Sequence, residues 1–310
     1  MKIAFLFSGQ LRELEYDLFR KSLLNLTKDL DYAIFAYSWE EMGESLNHKN
    51  NLPEIFSNQY IDKKINFLFK DFNLLDFGYE SFRDFKIRLK DEYREIFYSK
   101  KFDFGTVNSL PQIYTLHKSF ELLEKCKLNF DLVFRCRFDS IFIHPIKILP
   151  LKKILSNPNV YNLNFGRAYY PNRIYDIFFG GSRKSMNFIS TIWNDTPYLV
   201  KNSFDNGLDK RDCCRILYLA ASIDNTNTES FPSRICDVYR NNDLLYSKYL
   251  ISSHLVNFRI NNKNISYISF IFKWFRERKL SKPKITFYLI KSIVLVPFVY
   301  LKRLKYLRIR

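Results

Sequence analysis

Three charged side chains interrupt an apolar run at Asp131-Leu-Val-Phe-Arg-Cys-Arg-Phe-Asp-Ser-Ile-Phe-Ile-His-Pro145. In an extended chain alternate side chains share a face, which places Arg135, Arg137 and Asp139 on one side and Phe134, Cys136 and Phe138 on the other. A buried strand is ordinarily continuous Val, Ile, Leu and Phe, because a desolvated charge without a partner is costly. Two explanations fit the exception. One is an ion pair in which Asp139 neutralises Arg137 at a strand end. The other is a ligand at the carboxyl edge of a mostly parallel sheet, where open α/β sheets bind their ligands. Arginine forks match phosphate oxygens, and a strand-end aspartate can hold a divalent metal or a sugar hydroxyl, so the trio suits a phosphorylated, hydroxyl-rich donor.

A second carboxylate, Asp176, heads Tyr175-Asp-Ile-Phe-Phe-Gly-Gly-Ser182 and is the only acidic residue between Asp139 and Asp195. If that strand returns to the cluster, Asp176 can orient or deprotonate an acceptor hydroxyl. Turn or cap chemistry is its other reading. Near the N-terminus, Ser8-Gly9-Gln10 closes an apolar run. Glycine there lets backbone amides approach a ligand, and Ser8 and Gln10 offer hydrogen bonds. An ordinary turn explains Gly9 as well, since neither G-x-G-x-x-G nor a phosphate-cradling G-x-x-x-x-G-K-[ST] is present. Arg12 is placed to meet a phosphate or to sit solvated on the first helix. His48, His117, His144 and His254 lie far apart in sequence and support neither a zinc site nor a catalytic triad.

The elements that must carry these residues follow from periodicity. Ile3–Phe7 reads as a buried strand, Leu14, Leu18, Leu23 and Leu26 as a helical stripe, and Tyr32–Trp39 as a second strand, so the chain opens β-α-β with parallel strands. Residues 40–78 read as polar and irregular, with Ile65–Phe69 a candidate strand. Residues 79–98 read as one amphipathic helix. Ser109, Pro111 and Gln112 resemble a helix start leading into the charged strand, with Gln112 either capping or reaching the site. Residues 160–165 suggest another strand, Met186–Trp193 and Cys213–Ile223 helices, and Ile235–Arg240 a last strand. One domain covers this part of the chain.

At 310 residues, 47% hydrophobic and 18% aromatic, the chain is globular and long enough for a full core. Its net charge of +17 is concentrated: residues 271–310 hold 12 Lys and Arg against Glu277, so +11 of the total is a tail. No helix-turn-helix, zinc-knuckle or RNP-type motif accompanies that charge, which argues against nucleic acid as a partner. Five cysteines, an odd number without C-x-x-C spacing, favour free thiols in a reducing compartment. The N-terminal residues do not read as a signal peptide.

Phe7-Ser-Gly-Gln-Leu-Arg12, Tyr37-Ser38-Trp39, Phe134-Arg-Cys-Arg-Phe-Asp-Ser140 and Tyr175-Asp-Ile-Phe-Phe-Gly-Gly181, in this order over roughly residues 1–260, resemble bacterial glycosyltransferases of surface-polysaccharide and lipopolysaccharide-core assembly. The resemblance implies a GT-A-like α/β/α sandwich with a mostly parallel sheet, a nucleotide-sugar donor, and a D-x-D element holding a divalent metal, Mn or Mg, and the diphosphate. Arg135-Cys-Arg-Phe-Asp139 fills that position, and only Asp139 matches the second acid. On this reading Ser8, Gly9, Gln10, Arg12, Arg135 and Arg137 bind the donor. Asp139 serves a metal or the donor sugar, and Asp176 is the base. A phosphotransferase acting on a nucleotide-activated alcohol phosphate, and a non-catalytic scaffold of the assembly machinery, are the competing readings.

Residues 285–301 are strongly apolar but broken by Lys291 and Pro297, with Lys and Arg on both flanks. A spanning helix needs about 20 apolar residues. The segment therefore reads as interfacial, apolar residues inserted and cations on anionic headgroups, giving a catalytic domain over 1–265 and a membrane-association segment over 266–310. A terminal helix packed on the domain is the other reading. A lipid-linked glycan acceptor at the cytoplasmic face of the inner membrane would suit such an anchor.

Overall fold

The computed structural model describes residues 1–11, 16–42, 54–55, 58–98, 104–142, 145–146, 148–157, 159–163, 174–205, 213–223, 226–230 and 236–238. Arg12, the 265 boundary and the basic C-terminal segment lie outside the described residues. Met1–Val238 forms one compact unit.

Seven strands make the central sheet: β1 (Lys2–Ser8), β2 (Asp31–Trp39), β3 (Leu74–Glu80), β4 (Leu132–Cys136), β5 (Val160–Asn162), β6 (Phe178–Ser182) and β7 (Thr228–Ser230). Their spatial order is β7-β5-β6-β4-β1-β2-β3. All neighbours pair parallel except β6, which runs antiparallel to both β4 and β5. The β1 and β4 strands, in the middle, are buried almost throughout, which is why Ile3–Phe7 and Leu132–Phe134 are continuously apolar.

Alternation along β1 assigns the two faces. Phe5 and Phe7 point to the side where Phe7 meets Phe19 of α1 (Tyr16–Thr27) and Phe69 of α2 (Asn58–Phe69), with centroids 5.9 and 5.1 Å away. Ala4 and Leu6 face the opposite core, shared with Ala33, Phe35, Val133 and Phe179 and with α5 (Phe104–Lys125), α6 (Arg183–Thr191) and α7 (Cys213–Ile223). This is the three-layer α/β/α sandwich around a mostly parallel sheet that the family resemblance implied.

Several local expectations are corrected. Ile65–Phe69 is the end of helix α2 and not a strand: Ile61, Ile65, Leu68 and Phe69 are buried at i, i+4, i+7 and i+8, which is helical spacing. Residues 79–98 do not form one helix. They hold the end of β3, then α3 (Phe82–Arg88), capped by Ser81 accepting from the Asp84 amide, and α4 (Asp91–Tyr98) after a break where Leu89 is extended at ψ 128°. The helix start expected at Ser109–Gln112 lies inside α5, which begins at Phe104 and contains Pro111. Gln112 is thus mid-helix and half-buried. The final strand, Cys236–Val238, leaves the main sheet and pairs antiparallel with Ser140–Phe142.

The most consequential correction concerns the charged run. The extended strand stops at Cys136. Phe138 and Asp139 form a turn in which the Ser140 amide donates to the Arg137 carbonyl at 3.1 Å, and Ser140–Phe142 is a separate short strand.

Candidate functional site

Because the chain turns after Cys136, Asp139 folds back onto Arg137. Arg137 donates from Nε to Asp139 Oδ1 at 2.8 Å and from Nη2 to Oδ2 at 2.6 Å, a two-point fork, and from Nη1 to Asp176 Oδ2 at 3.0 Å. Asp139 is 2% exposed, while Arg137 and Asp176 keep 15% of their side-chain surface each. A carboxylate this buried requires the fork, because unpaired it would carry the full desolvation penalty. Burial by itself pulls the Arg137 pKa down, but Asp139 and Asp176 outweigh it and hold the guanidinium charged, above its ordinary value.

The second arginine faces the core shared by Val133. Arg135 is 2% exposed and donates from Nε to the hydroxyl of Ser8, the last residue of the neighbouring strand β1, at 3.0 Å. Between the arginines, Cys136 points to the other face, where burial pushes its thiol well up despite Arg135. It is a free, buried small side chain.

Asp176 is held from two directions that the sequence did not reveal. Its segment precedes β6, and the Tyr175 amide donates to Asn162 Oδ1 at 2.8 Å while the Ile174 amide donates to the Cys214 carbonyl at 3.1 Å. The Cys214 thiol also donates to Asp176 Oδ1 at 3.6 Å. Asn162, a buried polar residue ending a strand, was the available signal. Cys214 read only as a small hydrophobe.

The loop after β1 is fixed by β2. The Gly9 amide donates to the Tyr37 carbonyl at 3.2 Å and the Leu11 amide to Ser38 Oγ at 3.1 Å. Gly9 sits at φ +118° with no atom within 4 Å of an added Cβ, so glycine is required here by backbone conformation and not by crowding. Ser38 is buried and Trp39 packs against Phe85 and Tyr114, which accounts for the Tyr37-Ser38-Trp39 sequence.

The structure therefore brings Arg137, Asp139 and Asp176 into one triad and joins Arg135 to Ser8 at the ends of adjacent central strands. Gly9 and Gln10 follow directly from β1 at the same carboxyl edge. Farther along that edge, past β2 and β3, a cavity of about 400 Å³ is lined by Glu40, Tyr79, Glu80, Asp84 and Arg88. Glu80 there accepts from Tyr37 at 3.2 Å and pairs with Arg88.

The residues do not fit the metal that the D-x-D resemblance implied. Both Asp139 oxygens accept from Arg137, and no group of three or more His, Cys, Asp and Glu among the described residues could hold a metal ion. His117 instead joins α5 to the Ser190 carbonyl at 3.1 Å. Cys126, Cys136 and Cys214 form no disulfide with one another.

No protein-family model matches this chain, and no curated protein matches it. Among solved structures, the apo form of mouse xyloside xylosyltransferase 1 overlaps with it at a TM-score of 0.42 and 8% identity, covering 74% of this chain and 85% of that one. At that level of overlap no residue role carries across.

Proposed function

We propose that this chain is a glycosyltransferase moving a sugar from a nucleotide-sugar donor to a glycan acceptor. The observation that carries the reading is the Arg137–Asp139–Asp176 triad, set at the carboxyl edge of the central strands beside the buried Arg135–Ser8 pair. An arginine with five N–H groups keeps two after the three bonds it makes here, and its remaining exposure lets an oxyanion reach them. A leaving diphosphate is a ligand of that chemistry.

In the reaction, the acceptor oxygen bonds to the anomeric carbon, the bond from that carbon to the donor diphosphate breaks, and its electron pair departs with the diphosphate. Arg137 stabilises the charge that develops there, and Arg135, closed to solvent, adds its positive charge without contact. Asp176 takes the acceptor's proton: each of its oxygens already accepts one hydrogen bond and retains a lone pair. Asp139 holds the arginine in place. The Ser8-Gly9-Gln10 turn lies on the donor side, and Arg12 is assigned to the donor by the sequence resemblance alone.

The acceptor we favour is lipid-linked and belongs to bacterial surface-polysaccharide or lipopolysaccharide-core assembly, at the cytoplasmic face of the inner membrane. Support comes from composition: residues 285–301 are apolar and flanked by cations, as in a segment lying on anionic lipid. Among the described residues no helix is long and apolar enough to cross a membrane.

A thermal-shift panel of nucleotide sugars, followed by assay of nucleoside diphosphate release with an acceptor, tests the reading. One donor should raise the transition and turn over. A chain that no nucleotide sugar shifts is a scaffold and not this enzyme.

A further inference from the structure

We propose that Arg137 is the resident cation of this site, its guanidinium holding the place between Asp139 and Asp176 that a divalent ion would take, so that an anionic group is received on its remaining N–H groups without metal. The inference rests on the proposed function only for the nature of that anionic group.

The donor set makes the case. Asp139 and Asp176 are the two carboxylates that meet here, and together they accept three hydrogen bonds of 2.6–3.0 Å from Arg137. Arg137 precedes Asp139 by two residues, at the place of the first acid of a D-x-D pair, so the substitution replaces a metal ligand by a positive charge in the same span of chain. A hard divalent cation wants carboxylate oxygens. Here both oxygens of Asp139 and one of Asp176 accept from Arg137, the other Asp176 oxygen accepts from the Cys214 thiol, and a metal approaching them would lie against the guanidinium. Arginine does not lose its charge at any physiological pH, so the occupancy is permanent. The triad alone sums to one negative charge and, with Arg135, to zero. An incoming diphosphate is therefore held by directed donors rather than by surplus charge, a role for which a clamped guanidinium is suited.

The test is manganese binding, read by electron paramagnetic resonance of the free ion, on wild type, Arg137→Met and Asp139→Asn. Wild type should leave the free Mn²⁺ signal unchanged at millimolar metal. Arg137→Met, which opens the two carboxylates while keeping side-chain bulk, should bind one ion, and its melting temperature should rise with Mn²⁺ where that of wild type does not. Stoichiometric Mn²⁺ binding by wild type that Asp139→Asn abolishes would overturn the proposal. Should Arg137→Met not fold, the wild-type and Asp139→Asn titrations decide alone. Binding of uridine and guanosine diphosphates by wild type, with and without chelator, separates the two claims. No binding of either, with Mn²⁺ also excluded, sinks the nucleotide-sugar reading and leaves the resident cation standing. Binding that requires Mn²⁺ does the reverse.

Discussion

The guanidinium of Arg135 reaches across from β4 to the hydroxyl of Ser8 on β1, 3.0 Å from Nε to Oγ, with both side chains closed to solvent. The hydroxyl is an acceptor for a buried charge, so removing it leaves a charged donor short of a bond. Ser8→Ala should cost about 1–3 kcal/mol of folding free energy, measured by urea denaturation. An unchanged midpoint would mean that the hydroxyl does not hold Arg135.

Arg137→Ala should lower both stability and donor binding. From the sequence, a ligand-facing arginine left unpaired in the free protein would add little to folding. In the structure it neutralises Asp139, which is 2% exposed, and breaking such a pair by removing one partner typically costs about 3–5 kcal/mol. Denaturation of the two proteins side by side gives the number. A loss below about 1 kcal/mol would contradict the triad's role in folding.

The pairing of β4 with β6 should not tolerate a methyl group at Gly180. A Cβ there would lie 2.1 Å from the Phe134 ring and 2.5 Å from the Val133 carbonyl. Phe134 adjoins Arg135 in the strand, so the distortion acts on the site as well as on the core. Gly180→Ala should destabilise by at least the roughly 1–3 kcal/mol typical of overpacking. A variant with wild-type stability would show that the strands are less closely apposed.

Stability should fall in alkali in a way that Tyr93→Phe softens. Burial, with Glu92 and Asp195 adding, pushes the Tyr93 hydroxyl up to about 12 from its ordinary 10.0, and it donates to the Trp193 carbonyl at 2.5 Å. A raised folded-state value means that the stabilisation is complete below pH about 10 and is lost as pH climbs through about 12. Denaturation midpoints from pH 9 upward should decline less steeply in the phenylalanine variant. Equal slopes would count against it.

The opening β-α-β and the Cys213–Ile223 helix were legible because their apolar spacing is regular, whereas the sandwich was implied by the family resemblance. The possibility that Arg137, Asp139 and Asp176 meet was legible too, in the closely spaced charges and in a strand free to return Asp176 to them. The turn at Phe138–Asp139 was not, because an alternating charged run reads the same whether it continues extended or folds back to satisfy its own arginine. The β3 strand, at the sheet edge, exposes Leu75 and Asp76 and so lacks a buried face to betray it. Thr228-Glu-Ser230 has no strand signal at all and is ordered by pairing with β5.

Asp176→Asn should spare donor binding and abolish transfer. The amide keeps an oxygen for Arg137 but cannot take a proton from the acceptor. Calorimetry with the donor and turnover with the acceptor separate the two effects. Full turnover would remove Asp176 as the base.

Whether Arg137 receives the donor diphosphate is decided by calorimetric titration of wild type and Arg137→Lys with the nucleotide sugar that stabilises the wild type. Lysine keeps the charge opposite Asp139 and Asp176 but cannot offer a fork. Arg137→Lys should bind that nucleotide sugar at least about 10-fold more weakly, the equivalent of roughly 1.4 kcal/mol, with the domain still folded. Equal affinity in a folded Arg137→Lys protein would contradict that role and return the triad to a purely structural ion pair.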